Sequence, residues 1–391
     1  MNPLVEPGPA LDPARISRYS RQLALPGFGE AAQRRLGAAR VLVIGAGGLG
    51  SAVAPLLAAA GVGTVGVIDD DGVELSNLHR QLSHGVADIG RAKVDSLRDT
   101  IRAIDPDIAV DVHRVRATSA SLPGILSSYD LLIDGSDNFA TRYLASDAAE
   151  LAGVPLVWGS ILRFQGQVGV SWPGHGPGYR DLFAAPPPDD EVLSCEIGGV
   201  LPSLCTAVGS FLATEAIKLI TGIGEPLLGR VLFYDALTAR TREIAYAVDE
   251  TRAPVTTLTD AADACTPDAP GTSGGSVDEA AVVSASELLR RLRAGEAVRL
   301  LDVREPDEAA LQRIPGGELL PLPRLLAGAD PAPGGGDAAI LVYCAQGPRS
   351  QRAARVLRGR GFEAVYLAGG IRAYADLGGA VEAGALEGAP S

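Results

Sequence analysis

Thiols are scarce in this chain: four cysteines, Cys195, Cys205, Cys265 and Cys344, are spread through 391 residues, and no two stand at C-x-x-C spacing. That excludes a disulfide scaffold and a metal site built from closely spaced cysteine pairs, and it fits thiols kept reduced in a cytoplasm. Positive charge is also short, with 34 Lys and Arg against 47 Asp and Glu and a net charge of -13. There is no basic block, so a nucleic-acid surface, whose affinity depends on neutralising phosphates, is excluded. Long apolar runs are missing too. Residues 41–68 carry no charge, but Pro55 and a series of glycines break them. That excludes a membrane span and favours strand, turn, helix, strand. The first residues include acidic and proline positions and lack the basic start and apolar core of a secretory signal. A cytoplasmic protein with no nucleic-acid or membrane partner is the expectation.

What is present is organised around Val41 to Gly50, Val-Leu-Val-Ile-Gly-Ala-Gly-Gly-Leu-Gly, where a strand-like run breaks into glycines and a helical pattern follows. Gly45, Gly47 and Gly50 have G-x-G-x-x-G spacing, with Gly48 between them. Such a turn sets amide N–H groups and a helix N-terminus against phosphate oxygens, although a glycine-rich turn with no nucleotide would read the same way alone. Val41–Ile44, the helix 49–60 and Thr64–Asp69 make a right-handed βαβ unit. Asp69, at the end of the second strand, is placed to accept hydrogen bonds from ribose hydroxyls. Glu74 to Gln81 and then Gly90 to Lys93 bring two cations, Arg80 and Lys93, close behind the glycine loop. Hydride transfer has no use for them, whereas phosphoryl chemistry does. Each alone could equally be a surface helix charge.

A chain of this length exceeds the roughly 250–300 residues at which one core stops growing, so two domains are expected. The first runs over 1–248. It starts with a loose lead over 1–15 and a polar helix over 30–39. Strands at 108–112, 130–134 and 156–158 continue the open sheet, with an antiparallel strand over 165–172. Asp137, just after the 130–134 strand, is a candidate Mg²⁺ ligand or the N-cap of a helix beginning near Phe139. Residues 173–199, which contain Cys195, read as a long loop. A helix over 201–221, with Cys205 as core, and strands at 230–235 and 242–247 close the domain. A linker of about 28 residues over 251–278, within 249–280, would span some 30 Å as a flexible coil. A second α/β domain follows over 281–380, with a tail over 381–391. In it, Cys344 ends a buried strand and Cys344-Ala345-Gln346-Gly347-Pro348-Arg349-Ser350 leads into a helix over 353–358. Successive loop amides, a helix N-terminus and Arg349 would stabilise an anionic sulfur.

Residues 16–248 resemble the MoeB/ThiF branch of the ubiquitin-activating superfamily. The motifs are R-Y-S-R-Q (18–22), V-I-G-A-G-G-L-G-S (43–51), E-L-S-N-L-H-R-Q (74–81), G-R-A-K (90–93), D-G-S-D-N (134–138) and A-T-E-A-I-K (213–218). The resemblance implies a Rossmann-like, mixed but mostly parallel sheet that binds ATP and Mg²⁺ and adenylates the C-terminal Gly-Gly of a ubiquitin-like sulfur carrier protein. It implies that Asp69 holds the ribose, Asn77, Arg80 and Lys93 the phosphates, and Asp137 the Mg²⁺. It also implies that Arg21 reaches ATP from the other protomer of a homodimer. One departure is plain: the cysteine pairs of the family's structural zinc site would fall at Gly178/Asp181 and near Ala253/Thr256, so no zinc is expected there.

Residues 300–308, 314–316, 340–350 and 367–371 resemble a rhodanese domain, with Arg313 where that family often has His and Tyr374 where it often has Trp. The resemblance implies a Cys344 persulfide loaded by a sulfur donor such as a cysteine desulfurase. Cys195 matches a loop cysteine that, in fused proteins of this kind, can link covalently to the carrier. Together the two halves resemble the fused adenylyltransferase-sulfurtransferases of molybdopterin and tRNA thiolation, which implies thiocarboxylation of the carrier. The alternative is an enzyme that activates a carrier or peptide for conjugation, with sulfur transfer secondary.

Overall fold

Val41 and Val43 point to one face of their strand and Leu42 and Ile44 to the other, so a strand with this sequence must be covered on both sides. In the computed structural model, which describes residues 2–186, 199–260, 282–333 and 339–383, it is. The chain divides into two units, each with its own sheet. In the first, β1 (Arg40–Ile44), β2 (Thr64–Ile68), β3 (Ala109–His113), β4 (Leu131–Asp134), β5 (Leu156–Leu162), β6 (Gln165–Ser171), β7 (Arg230–Asp235) and β8 (Arg240–Ala245) lie in the order β3-β2-β1-β4-β5-β6-β7-β8. The first five strands of that order are parallel and the last three add antiparallel pairings. Val41, Val43, Val65, Val67, Leu131 and Ile133 fill one core, and Leu42, Ile44, Ile68 and Leu132 the other. The chain leaves β1 toward β2 and β3, then returns to β1's other side as β4, so the carboxyl ends of β1 and β4 frame a crevice.

The helix Pro202–Thr221 is apolar and long enough to cross a membrane. Here it is a core helix. Leu204, Cys205, Val208, Leu212, Ala216, Leu219 and Ile220 are buried in it, against β5, β6 and the helix Gly50–Ala60. Pro55 lies inside Gly50–Ala60 without breaking it. Proline lacks the N–H that would bond the carbonyl of Ser51, and the Ser83 hydroxyl supplies a donor to that oxygen instead, at 2.5 Å.

Three sequence expectations need correction. The lead over 1–15 is docked: Leu4 N–H donates to Leu219 O at 3.0 Å and Gly8 N–H to Arg34 O at 3.1 Å. Asp12 caps a helix over Pro13–Arg18. Arg15 and Tyr19 then converge on Asp105, whose carboxylate is sealed from solvent, with Tyr19 Oη donating at 2.9 Å. These ties are polar and reach residues far along the chain, so no apolar period announced them. Second, order does not lapse at Pro173: a helix turn at Tyr179–Leu182 continues the packing, with Tyr179 edge-on to Trp158 at 5.1 Å between ring centres. Third, the segment read as linker is held to the first unit as far as Asp260, which accepts from the N–H and hydroxyl of Ser119, both at 2.8 Å. The rest of that linker and Cys265 lie outside the described residues, as do 187–198 with Cys195.

In the second unit β9 (Val282–Val283), β10 (Arg299–Asp302), β11 (Glu318–Leu319), β12 (Ile340–Tyr343) and β13 (Ala364–Leu367) form an all-parallel sheet in the order β11-β10-β12-β13-β9. Leu301, Val342 and Leu357 pack on one face and Leu288, Leu341 and Tyr343 on the other. Tyr374 is fully buried there. The start of the expected tail is tied back, since Glu382 pairs with Arg313 at 3.0 Å and through both backbone N–H groups.

Two outcomes follow from this packing. Ser83→Ala strands the Ser51 carbonyl and should lower the stability of the first unit by about 1–3 kcal/mol, read from the midpoint of its urea unfolding transition. Burial alone would push the Asp105 carboxyl up, but the Tyr19 hydroxyl, the Asp107 N–H and Arg15 outweigh it and hold it below the ordinary carboxylate value. A carboxyl lowered on folding stabilises above its unfolded pKa, and that contribution fades as pH falls through the folded value. Acid unfolding followed by circular dichroism should therefore begin at higher pH in Asp105→Asn.

Candidate functional site

Gly45 takes φ of +89°, and a Cβ built on Gly50 would lie 1.7 Å from the Gly45 carbonyl oxygen. The turn from β1 into the helix Gly50–Ala60 thus closes only because residue 50 has no side chain. Gly48 serves packing, since a Cβ there would stand 3.0 Å from Cys205 Sγ. Around Gly47 the space is open apart from the Gln81 amide, 3.7 Å from a built Cβ.

Asp69, at the end of β2, accepts the Ala46 N–H at 2.7 Å and the Asp71 N–H at 2.8 Å. Its burial outweighs those bonds and leaves its carboxyl raised. Lys93, buried at the start of the helix Lys93–Ile104, pairs with Asp71 at 2.7 Å. Asn77 closes a single helical turn by accepting the Glu74 N–H at 3.1 Å, and Arg80 donates to Ser76 O at 2.9 Å. The fold therefore brings the glycine loop, Asp69 and Lys93 together, and Gln81 lays the Asn77–Arg80 segment against the loop.

On the other side of β1 the loop after β4 touches the glycine turn: a Cβ on Gly45 would be 3.1 Å from Gly135 O. Asn138, rather than Asp137, caps the helix Phe139–Ala152 by accepting the Thr141 N–H at 2.8 Å. Asp137 is left exposed. Sequence reasoning missed what supports this loop. Buried Arg142 pairs with buried Asp134 at 3.3 Å and donates to Ser136 O and Gly159 O, both at 3.0 Å. Arg21 stands exposed on the short helix Ser20–Leu23.

Two buried side-chain atoms at this crevice, Gln81 Oε1 and Ser136 Oγ, have no partner among the described residues. Buried polar atoms are rarely left so, and here they flank the glycine turn, where a Cβ on Gly47 would meet only the Gln81 amide. The donor set of loop amides, Lys93 and Arg80 suits phosphate oxygens, and the exposed Asp137 carboxylate suits a hard divalent cation. A nucleotide with Mg²⁺ fits these residues.

At the positions where the resemblance placed zinc thiols, a guanidinium joins the two segments. Arg252 bonds Asp181 at 3.0 Å and Glu150 at 3.1 Å, and Asp181 and Glu150 also accept the N–H groups of Asp249 and Val255, both at 3.2 Å.

The second unit holds its own reactive group. Cys344 follows β12 and is nearly sealed from solvent, with its Sγ accepting the Gly347 N–H at 3.0 Å and lying 3.6 Å from Ser350 Oγ. Its carbonyl oxygen accepts the Ile371 N–H at 2.8 Å. A Cβ on Gly370 would fall 2.4 Å from that oxygen. Arg349 interacts with the cysteine through space, but both terminal nitrogens bond Glu308 at 2.7 Å. Glu308, three residues after Glu305 in its capping box, is the partner that sequence reasoning did not single out.

Comparison with known proteins is consistent with both units. Residues 19–255 match the ThiF family and residues 284–377 the rhodanese-like domain. A Mycobacterium tuberculosis protein named probable adenylyltransferase/sulfurtransferase MoeZ is 47% identical over 381 residues, covering 95% of this chain and 96% of the relative. The Bos taurus protein named adenylyltransferase and sulfurtransferase MOCS3 is 39% identical over 378 residues, 90% of this chain and 83% of the relative. A Thermus thermophilus sulfur carrier protein adenylyltransferase is 48% identical over 234 residues, 59% of this chain and 86% of the relative. Among solved structures, E. coli MccB with ATP is similar in fold with a TM-score of 0.52 at 20% identity, covering 61% of this chain and 74% of that one.

Removing the Arg252 guanidinium leaves two carboxylates facing each other, with little water access at Asp181. Arg252→Ala should cost roughly 2–4 kcal/mol and Arg252→Lys, which keeps the charge but loses the planar fork, less, as read from thermal unfolding.

Proposed function

The chain belongs to the ThiF family and carries a rhodanese-like domain after it, and from that premise we propose how its residues divide an adenylation and a sulfur transfer. The chain is an adenylyltransferase joined to a sulfurtransferase, acting on a ubiquitin-like sulfur carrier that ends in Gly-Gly. The observation that carries the reading is the Cys344 sulfur held by the Gly347 N–H at 3.0 Å on the same chain as the ThiF fold.

In this reading the glycine loop and the N-terminus of Gly50–Ala60 receive the ATP phosphates, with Asn77, Arg80 and Lys93 beside them and Asp69 at the ribose. Lys93 would leave its partner Asp71 to meet phosphate, a stronger anion. Asp137 would hold Mg²⁺, which neutralises phosphate charge when bound. The carrier's terminal carboxylate attacks the α-phosphorus, pyrophosphate leaves, and an acyl-adenylate forms. Arg21 from a second protomer would complete the site of a homodimer.

Cys344, charged with sulfane sulfur by a donor such as a cysteine desulfurase, attacks the acyl carbon through its terminal sulfur and AMP leaves. The product is an acyl disulfide. Two thiols then reduce it: the first attacks the Cys344 sulfur, so the S–S bond breaks, the thiocarboxylate leaves and Cys344 is held in a mixed disulfide, and the second cleaves that mixed disulfide, restoring Cys344 as the two thiols end as a disulfide; Cys195 is a candidate for the first. The Gly347 N–H donates to the sulfur, and Glu308 orients Arg349 to add positive charge near it. A cytoplasmic setting keeps these thiols available. No zinc is invoked.

Offered ATP, Mg²⁺ and a diglycine-tailed carrier, Lys93→Ala and Asp137→Ala should lose carrier-dependent pyrophosphate exchange by about 10²-fold or more, the scale on which a positioned electrostatic group acts. Cys344→Ala should keep exchange and make no thiocarboxylate. Mass spectrometry of the carrier reads the outcome: exchange of one oxygen for sulfur supports the proposal, whereas a plain conjugate with no sulfur supports activation for conjugation instead.

A further inference from the structure

His84 is a buried histidine to which the mechanism above assigns nothing. It lies between the Asn77–Gln81 turn and Lys93, with its own N–H donating to Gln81 O at 3.1 Å. Its Nε2 is 3.1 Å from the carbonyl oxygen of Ala46, in the glycine loop, and its Nδ1 is 2.9 Å from Ser96 Oγ. Burial lowers its pKa, so the ring is neutral at neutral pH. A neutral imidazole has one donor and one acceptor, and a carbonyl oxygen can only accept. Nε2 therefore carries the proton to Ala46 O, which leaves Nδ1 as the acceptor facing the Ser96 hydroxyl, a group that Asp88 also engages.

Ala46 is thereby held at both ends, its N–H by Asp69 at 2.7 Å and its carbonyl by His84. The 46–47 peptide is trans, as are all peptides among the described residues. In a trans plane the carbonyl and the following N–H point in opposite directions. With the Ala46 oxygen turned to His84, the Gly47 N–H is turned away from it. Beside Gly47 a built Cβ would meet only the side-chain amide of Gln81, at 3.7 Å, and the oxygen of that amide, Oε1, is buried without a partner among the described residues. A peptide next to glycine flips at little steric cost. Flipping this one would present a carbonyl oxygen, instead of an N–H, to an anion in the loop.

We propose that His84 is a positioning residue that locks the 46–47 peptide with its N–H toward the bound nucleotide's phosphates. The proposal rests on the reading of the glycine loop as the ATP site. It makes His84 act on nucleotide affinity through Ala46, without touching the reacting atoms.

The test uses the full chain, a non-hydrolysable ATP analogue with Mg²⁺ in calorimetry, and pyrophosphate exchange with carrier. His84→Leu should raise the analogue's Kd and the KM for ATP about tenfold, the scale of one net hydrogen bond, with kcat within about twofold of the parent. His84→Gln, whose amide can donate to the same carbonyl, should recover most of that loss. Ser96→Ala, which frees the ring to take the other tautomer, should weaken binding by a smaller factor and serves if His84→Leu does not fold. Parent-like affinity in folded His84→Leu, or in Ser96→Ala where that variant must serve, overturns the lock, as does equal loss in His84→Leu and His84→Gln. Failure of the parent chain itself to bind the analogue overturns the ATP-site reading instead.

Discussion

The carbonyl oxygen of Gly45 occupies the space that any side chain at residue 50 would need, with a built Cβ only 1.7 Å away. This one steric exclusion lets the chain leave β1, turn within a few residues and start a helix against the sheet. Everything at the first site takes its place from that turn. Asp69 is there because β2 runs parallel beside β1 and ends level with it, and the 135–138 loop because β4 does so on the other side. The crevice exists because the chain order reverses across β1, so no helix covers the gap between the two loops.

The second unit solves the same problem with different residues. Cys344 ends the central strand β12, and Gly370 lets a neighbouring turn come within bonding distance of the cysteine's carbonyl. In both units a glycine with no room for a Cβ presses one loop against the end of a central strand. The reactive groups then sit on short, heavily bonded backbone. The amides that would meet phosphate in one unit and sulfur in the other are in that way set before any ligand arrives.

Charge in the interior is handled by pairing. Arg142 with Asp134 and Arg304 with Asp302 are buried as pairs, and Arg349 with Glu308 is partly buried, each with further hydrogen bonds to backbone or neighbouring groups. Arg252, between Asp181 and Glu150, joins two chain segments that lie far apart in sequence. Lone buried charges would be costly, and a planar guanidinium between carboxylates meets that cost with directed bonds. The same logic holds the N-terminal segment, through Arg15 and Tyr19 on Asp105.

Much of this was legible in the chain itself. Apolar runs bounded by glycine marked the strands, because a strand buried on both faces has no polar positions. The ordered motifs marked the two families, because spacing of glycines, cations and the loop cysteine reflects local backbone demands. Other features were not legible. That Asn138 caps its helix and leaves Asp137 exposed depends on dihedral angles at one residue, and the docking of residues 2–15 depends on polar partners as distant as Leu219. The roles of Gln81, Ser136 and His84 depend on what is buried beside the loop. Sequence determined the elements and their chemistry, since periodicity and turn residues act over a few positions. Only the tertiary structure decided which buried polar groups have partners, because that is settled by contacts between residues tens of positions apart.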